Sequence, residues 1–132
     1  AVAERLARVR ASVPAGVTLV AVSKSHPAEA IREAHAAGQR AFGENYVQEW
    51  RAKAEALADL PDLSWHFVGG LQTNKVRFLA GRVHLVHTVD REELGREIAS
   101  RWGQRGATAR VLVEGWPGLV TVRDTLNVPT CV

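Results

Sequence analysis

The chain has 132 residues, of which 46% are hydrophobic and 23% are charged, a composition that excludes a disordered, collagen-like or coiled-coil protein. Its 17 basic and 14 acidic side chains leave a formal net charge of +3, and the two signs are interspersed, which favours a mixed solvated surface over a nucleic-acid interface. No apolar run approaches the roughly 20 residues that cross a bilayer, so we expect one globular domain outside the membrane.

Five short runs of β-branched and other apolar residues recur along the chain, and such runs are typical of strands covered on both faces. Each interval between consecutive runs has room for one helix and two loops. In chain order, the runs predict strands near residues 17–23, 40–42, 64–67, 83–87 and 110–114.

Apolar residues at helical spacing fill the intervals between these runs. In chain order, they predict helices near residues 2–9, 27–38, 45–57, 76–81 and 90–102. Asn45 with Gln48, and Asp90 with Glu93, have the spacing of capping boxes at the starts of the third and fifth helices.

Regular alternation of strand and helix predicts a parallel sheet and therefore the α/β class. An open doubly wound sheet and part of an eight-stranded barrel both satisfy this pattern. No G-x-G-x-x-G motif follows the first strand, which weakens the dinucleotide-binding version of the open sheet.

Functional residues in both architectures gather where strands end, at the carboxyl edge of the sheet. Lys24 follows an apolar strand, and desolvation there would favour the neutral amine that forms a Schiff base with an aldehyde. The alternative is that Lys24 begins a solvated loop. Gly43 permits a tight turn after the second strand, and Asn45 either hydrogen-bonds a ligand or only caps its helix.

Polar residues also accompany the later strands. His66 and His87 are either acid–base groups or metal ligands, or they are satisfied core residues. No H-x-x-x-H pair supports a metal, so we expect no metal site. Gln72, Asn74 and Lys75 form a polar loop that either binds a ligand or starts a helix.

Four sequence blocks occur in a specific order, at residues 20–24, 42–49, 65–75 and 87–90. Together they resemble the pyridoxal-phosphate homeostasis protein family, whose fold resembles the N-terminal barrel of alanine racemase. The resemblance covers residues 1–114. It implies a (β/α)₈ barrel in which Lys24 holds pyridoxal 5′-phosphate as a Schiff base. It places Asn45 near the cofactor and His66 within a family motif.

The same resemblance implies a function in intracellular vitamin B6 and amino-acid homeostasis, as a non-catalytic cofactor carrier with no catalytic residue. Two alternatives stay open: a pyridoxal-phosphate-dependent racemase-type enzyme, and a fragment without function. Racemisation of this kind needs acid–base groups on both cofactor faces. Alanine racemase has a catalytic tyrosine from a second domain, whereas Tyr46, the single tyrosine of this chain, lies inside a family block.

The family pattern ends after Glu114. We therefore expect residues 1–114 to form an incomplete barrel with about five parallel strands. Residues 115–132 would be a divergent tail, neither an independent domain nor the sixth strand unit of the barrel. In the family, loops after the last strands hold the phosphate, so we expect weak cofactor binding by this chain.

The remaining expectations concern location and partners. Cys131 is the single cysteine, so no internal disulfide forms, and the N-terminal residues lack the apolar core of a secretory signal. We therefore expect a cytoplasmic protein. Its expected partner is the small-molecule cofactor, without nucleic acid or membrane, and the sequence does not indicate a protein partner.

Overall fold

A computed structural model describes residues 2–114 and 119–122. It divides the chain into two compact units, Ala1–Ser64 and Trp65–Val132. Across the described residues, no helix combines the length and the apolar character needed to cross a membrane.

The described part of the first unit alternates helices with parallel strands. Its elements are α1 (Val2–Ala11), β1 (Ala21–Val22), α2 (Ala28–Ala36), β2 (Ala41–Glu44) and α3 (Val47–Ala56). β1 lies parallel to β2, with Val22 opposite Gly43. Large apolar side chains fill the core of this unit and are almost completely buried: Ile31, Phe42, Trp50 and Leu57.

β1 is shorter than the predicted strand at 17–23, because its ladder with β2 begins only at Ala21. Before that point the carbonyl of Leu19 accepts a hydrogen bond from a side chain, Gln39 Nε2, at 2.6 Å. β2 in contrast extends beyond the predicted 40–42. Gly43 therefore lies within a strand and does not form the tight turn that we predicted for it.

The described part of the second unit contains three parallel strands. Its elements are β3 (Ser64–Phe67), a 3₁₀ turn (Thr73–Lys75), α4 (Val76–Leu79), β4 (Leu85–Val89), α5 (Glu92–Gln104), β5 (Ala109–Val113) and β6 (Leu119–Val122). β4 pairs in parallel with both β3 and β5. Leu94, Ile98 and Trp102 lie on one face of α5 and are buried with the strand residues Val86 and Val111.

β6 runs antiparallel to β5, with Val111 opposite Val120. Successive strands of a (β/α)₈ barrel are parallel, so this direction agrees with the prediction that the tail does not supply a sixth barrel strand. The other tail residues, 115–118 and 123–132, lie outside the described residues. The assignment of 115–132 as a tail rather than a domain stays a prediction.

Helix ends test the predicted start and stop signals. Gly38 and Gly81, which follow α2 and α4, have φ values of +101° and +73°, the left-handed conformation in which glycine commonly ends a helix. Both predicted capping boxes are wrong. The N-cap residues of α3 and α5 are Tyr46 and Arg91, and neither makes a side-chain capping bond. Each helix begins later than predicted.

Candidate functional site

Lys24 lies in the turn that follows β1, at the carboxyl end of that strand. Its side chain is exposed. The burial on which our desolvation argument depended is therefore wrong, and the exposed position also fits the alternative of a solvated loop. The flanking backbone is constrained, since Ser25 has a φ of +66°, a left-handed conformation that is uncommon for a residue with a side chain.

Three charged side chains hold the residues on either side of Lys24. Lys53 Nζ donates to the carbonyl of Ser23 at 2.7 Å, to Glu44 Oε2 at 2.8 Å and to Glu49 Oε2 at 2.8 Å. Glu49 Oε2 also accepts a hydrogen bond from the backbone N–H of Ser25 at 2.5 Å. We call Glu44, Glu49 and Lys53 the charged brace.

The charged brace is largely withdrawn from solvent. The Glu44 side chain is 0% exposed and that of Lys53 is 7% exposed, whereas that of Glu49 is 26% exposed. Hydrogen bonding to Lys53 lowers the pKa of Glu49, and the bond from Ser25 acts in the same direction. Both interactions favour the carboxylate form.

Sequence reasoning missed the brace. Glu44 and Glu49 lie in the family block at 42–49 and Lys53 lies outside every block, and the sequence analysis assigns none of them a role. The spacing of four residues between Glu49 and Lys53 on a predicted helix is a signal for an ion pair. That spacing alone does not indicate that the pair is turned toward Ser23 and Ser25, because this depends on where α3 lies beside β1.

Asn45 directly follows β2, and Ser23 and Lys24 directly follow β1. The N–H of Ser23 continues the ladder between the strands by donating to the carbonyl of Gly43 at 2.9 Å. Since parallel strands place their carboxyl ends at one edge, Lys24 and Asn45 lie at the same edge of the first unit. The structure thus brings together two of the three predicted binding residues.

The Asn45 side chain has an unsatisfied hydrogen-bonding atom. Its Oδ1 is buried and has no hydrogen-bond partner among the residues that the structure describes. It makes no capping bond to α3, so the capping role that we considered for Asn45 is wrong. A buried acceptor without a donor costs free energy of roughly 1–3 kcal/mol, and such an atom calls for a partner that the described residues do not provide.

His66, the third predicted binding residue, lies on β3 in the second unit and is 4% exposed. Its Nδ1 is hydrogen-bonded to His87 Nε2 at 2.9 Å, and its ring centroid is 5.4 Å from that of His84. Burial, followed by repulsion from His87, His84 and Arg110, lowers the pKa of His66 to about 4. Burial also lowers the pKa of His87.

These histidines therefore form a neutral hydrogen-bonded pair near pH 7, in which one ring nitrogen donates and the other accepts. Among the described residues, no group of three or more His, Cys, Asp or Glu side chains has an arrangement that could hold a metal ion.

The polar loop after β3 has a structural role in part. Thr73–Lys75 forms a 3₁₀ turn that leads into α4, as one of our two interpretations predicted. Lys75 Nζ lies 5.9 Å from the ring centroid of Phe78, and Arg91 Nη2 donates to the carbonyl of Leu71 at 2.8 Å. Gln72 and Asn74 are exposed.

Comparison with known proteins identifies the family. Residues 1–115 match the alanine racemase N-terminal domain family. The chain belongs to this family. It is also similar to the pyridoxal phosphate homeostasis protein of Pseudomonas aeruginosa, with 47% identity over 110 residues that cover 76% of this chain and 47% of that protein. The corresponding protein of Aquifex aeolicus is 49% identical over 96 residues, which cover 73% of this chain and 42% of that protein.

Solved structures are similar as well. PipY of Synechococcus elongatus PCC7942 without PLP has a TM-score of 0.80 and 50% identity, over 84% of this chain and 52% of PipY. The same protein with PLP bound has a TM-score of 0.77 and 52% identity, over 80% of this chain and 50% of PipY. The chain thus spans about half the length of the relatives that it matches. The predicted family and fold class, α/β with five parallel strands as in part of a (β/α)₈ barrel, are confirmed.

Proposed function

We propose that this chain binds pyridoxal 5′-phosphate as a non-catalytic cofactor-binding protein, with Lys24 as the residue that forms a Schiff base. The observation that carries the proposal is the placement of Lys24 and the unsatisfied Asn45 Oδ1 at one edge of two paired parallel strands. An exposed amine and a buried acceptor lie there together, in a chain whose relatives include a protein solved with PLP bound.

The residues present fit this cofactor. Bound pyridoxal phosphate supplies an aldehyde that condenses with a neutral primary amine, together with a pyridine ring that polar side chains can orient. Lys24 supplies the amine. The Asn45 amide has both an acceptor and a donor, and its orphaned Oδ1 fits a hydrogen-bond donor on the ligand.

His66 is the third residue that we assign to cofactor binding. Its place in the family motif supports this role, and its pKa of about 4 makes it neutral at physiological pH. It would therefore act as a hydrogen-bonding group and not as a counter-charge for the phosphate. The phosphate would depend on groups outside this set.

The proposed role is intracellular vitamin B6 and amino-acid homeostasis. The relatives are named pyridoxal phosphate homeostasis proteins, which supports the part of this role that concerns the cofactor. A non-catalytic role is supported by the exposure of Tyr46, the single tyrosine, at 62%, because a proton-transferring phenol works in a shielded position beside its substrate. We place the protein in the cytoplasm, with the cofactor as its small-molecule partner and without nucleic acid or membrane.

Borohydride trapping tests the proposal. The chain has only three lysines, Lys24, Lys53 and Lys75, so a reduced cofactor adduct can be assigned by peptide mapping. We expect an imine absorbance band with pyridoxal 5′-phosphate, and a label on Lys24 well above that on Lys75. Lys24→Arg, which keeps the positive charge but cannot form the imine, should lose the band, and Lys75→Arg should retain it. Equal labelling of Lys24 and Lys75 would contradict the proposal.

A further inference from the structure

We propose that the charged brace, Glu44, Glu49 and Lys53, positions Lys24 for reaction with the cofactor aldehyde. This inference rests on the proposed function, since it assigns a role to residues that contact the turn carrying the reactive lysine. The brace residues are positioning residues: their contacts are with the neighbours of Lys24 and with one another.

Lys53 holds the peptide group before Lys24. The carbonyl of Ser23, which belongs to the peptide bond between Ser23 and Lys24, accepts from Lys53 Nζ at 2.7 Å. The hydroxyl of Ser23 donates to Glu44 Oε2, and its N–H donates to the carbonyl of Gly43. Ser23 is thus held through its N–H, its carbonyl and its hydroxyl. The peptide plane on the N-terminal side of Lys24 has a fixed orientation as a result.

Glu49 holds the peptide group after Lys24. Glu49 Oε2 accepts from the N–H of Ser25 at 2.5 Å. Ser25 has a φ of +66°, and a non-glycine residue keeps this conformation only where its surroundings stabilise it. The charge-assisted bond to Glu49 is such a stabilising contact. Both peptide groups that flank Lys24 are therefore bonded to brace residues.

The Lys53 side chain is buried. Lys53 shares its three donors between two carboxylates and one carbonyl, and its side chain is only 7% exposed. Lys53 is a primary amine that is hydrogen-bonded to the residue before Lys24. Because its donors are occupied and its side chain is buried, it is poorly accessible to an aldehyde. The brace would thus separate the two amines by role, with Lys53 as a structural ammonium and Lys24 as the exposed, reactive amine.

The functional consequence follows from orientation. A nucleophile in a fixed turn reaches the reactive geometry without first losing the freedom of a mobile loop, and small displacements of such a group reduce rates strongly. Without the brace, Lys24 would remain an exposed lysine but would react like any other. Selectivity for Lys24 over Lys75 is therefore the property that the brace controls.

The test is the ratio of borohydride-trapped label on Lys24 to that on Lys75. Glu49→Ala removes the bond to Ser25 at a partly exposed position, and we expect the ratio to fall about tenfold. Glu49→Gln keeps an oxygen acceptor for Ser25, so the ratio should fall less in this variant. Arg32→Gln, which breaks an exposed ion pair with Asp59 in the same unit, is the matched control and should keep the wild-type ratio.

Lys53→Met is the second variant and should lower the ratio at least as much as Glu49→Ala. If it does not fold, Glu49→Ala decides the question. A purely structural role would reduce the yield of folded protein but leave the ratio among folded molecules unchanged, and that result would overturn the inference. Absence of selective Lys24 label in the wild-type chain would instead contradict the proposed function itself.

Discussion

Acidification should destabilise the chain through His66 before its carboxylates are protonated. The pKa of His66 is about 4 in the folded chain, against an ordinary value of 6.5, because the ring is buried and lies beside His87, His84 and Arg110. Between these two pH values the unfolded chain binds the proton more readily. The free energy of unfolding therefore decreases as the pH falls from 6.5 to 4, and this contribution is fully present above pH 6.5.

The size of the effect follows from the same two values. The difference between the pKa values of His66 in the unfolded and folded chain corresponds to about 3 kcal/mol of unfolding free energy, and most of this stability would be lost by pH 4.5. Carboxylates with a lowered pKa, such as Glu49, protonate in the folded state below their ordinary range, so their contribution is lost at more acidic pH. The window from pH 6.5 to 4.5 thus reports mainly on buried histidines.

Urea unfolding followed by tryptophan fluorescence at pH 7.5 and 4.5 measures this loss. We expect the wild-type chain to lose about 2–3 kcal/mol more than His66→Asn, which keeps a polar atom near the position of Nδ1 but does not titrate. Wild type and His66→Asn will both retain any contribution from His87. His26→Asn, at an exposed histidine, is the control and should behave like the wild type. Equal pH dependence in wild type and His66→Asn would refute the reasoning.

Three further predictions concern the first unit. Asn45→Ala should weaken pyridoxal phosphate binding about tenfold in an absorbance titration, since it removes a side chain that we assign to the ligand; unchanged affinity would exclude that role. Lys53→Met should lower the free energy of unfolding by about 3–5 kcal/mol in urea, because it leaves the Glu44 carboxylate buried without its ion-pair partner. Ser25→Gly should raise it by up to about 1 kcal/mol, since glycine adopts the positive φ without strain, and Ser25→Ala should give no such gain.

Local signals were sufficient for much of the fold. The five strands and five helices follow from hydrophobic periodicity, and Gly38 and Gly81 mark the ends of α2 and α4 because a positive φ is a property of the local backbone. The two predicted capping boxes are wrong, and the reason is also local. Asn45 and Asp90 each lie one residue before the actual N-cap, and spacing rules do not fix a helix start that closely.

The sequence by itself determined the α/β class and the family, because periodicity and motif order are properties of the chain alone. It also pointed to Lys24 and Asn45, whose role in binding stays a prediction. Only the tertiary structure decided that Lys24 is exposed, that Asn45 Oδ1 lacks a partner within the described part of the chain and that Lys53 is buried between two carboxylates. Burial and hydrogen-bond partners depend on which elements lie side by side. Residues 23, 44 and 53 meet only when β1, β2 and α3 pack together, and no local pattern records that contact.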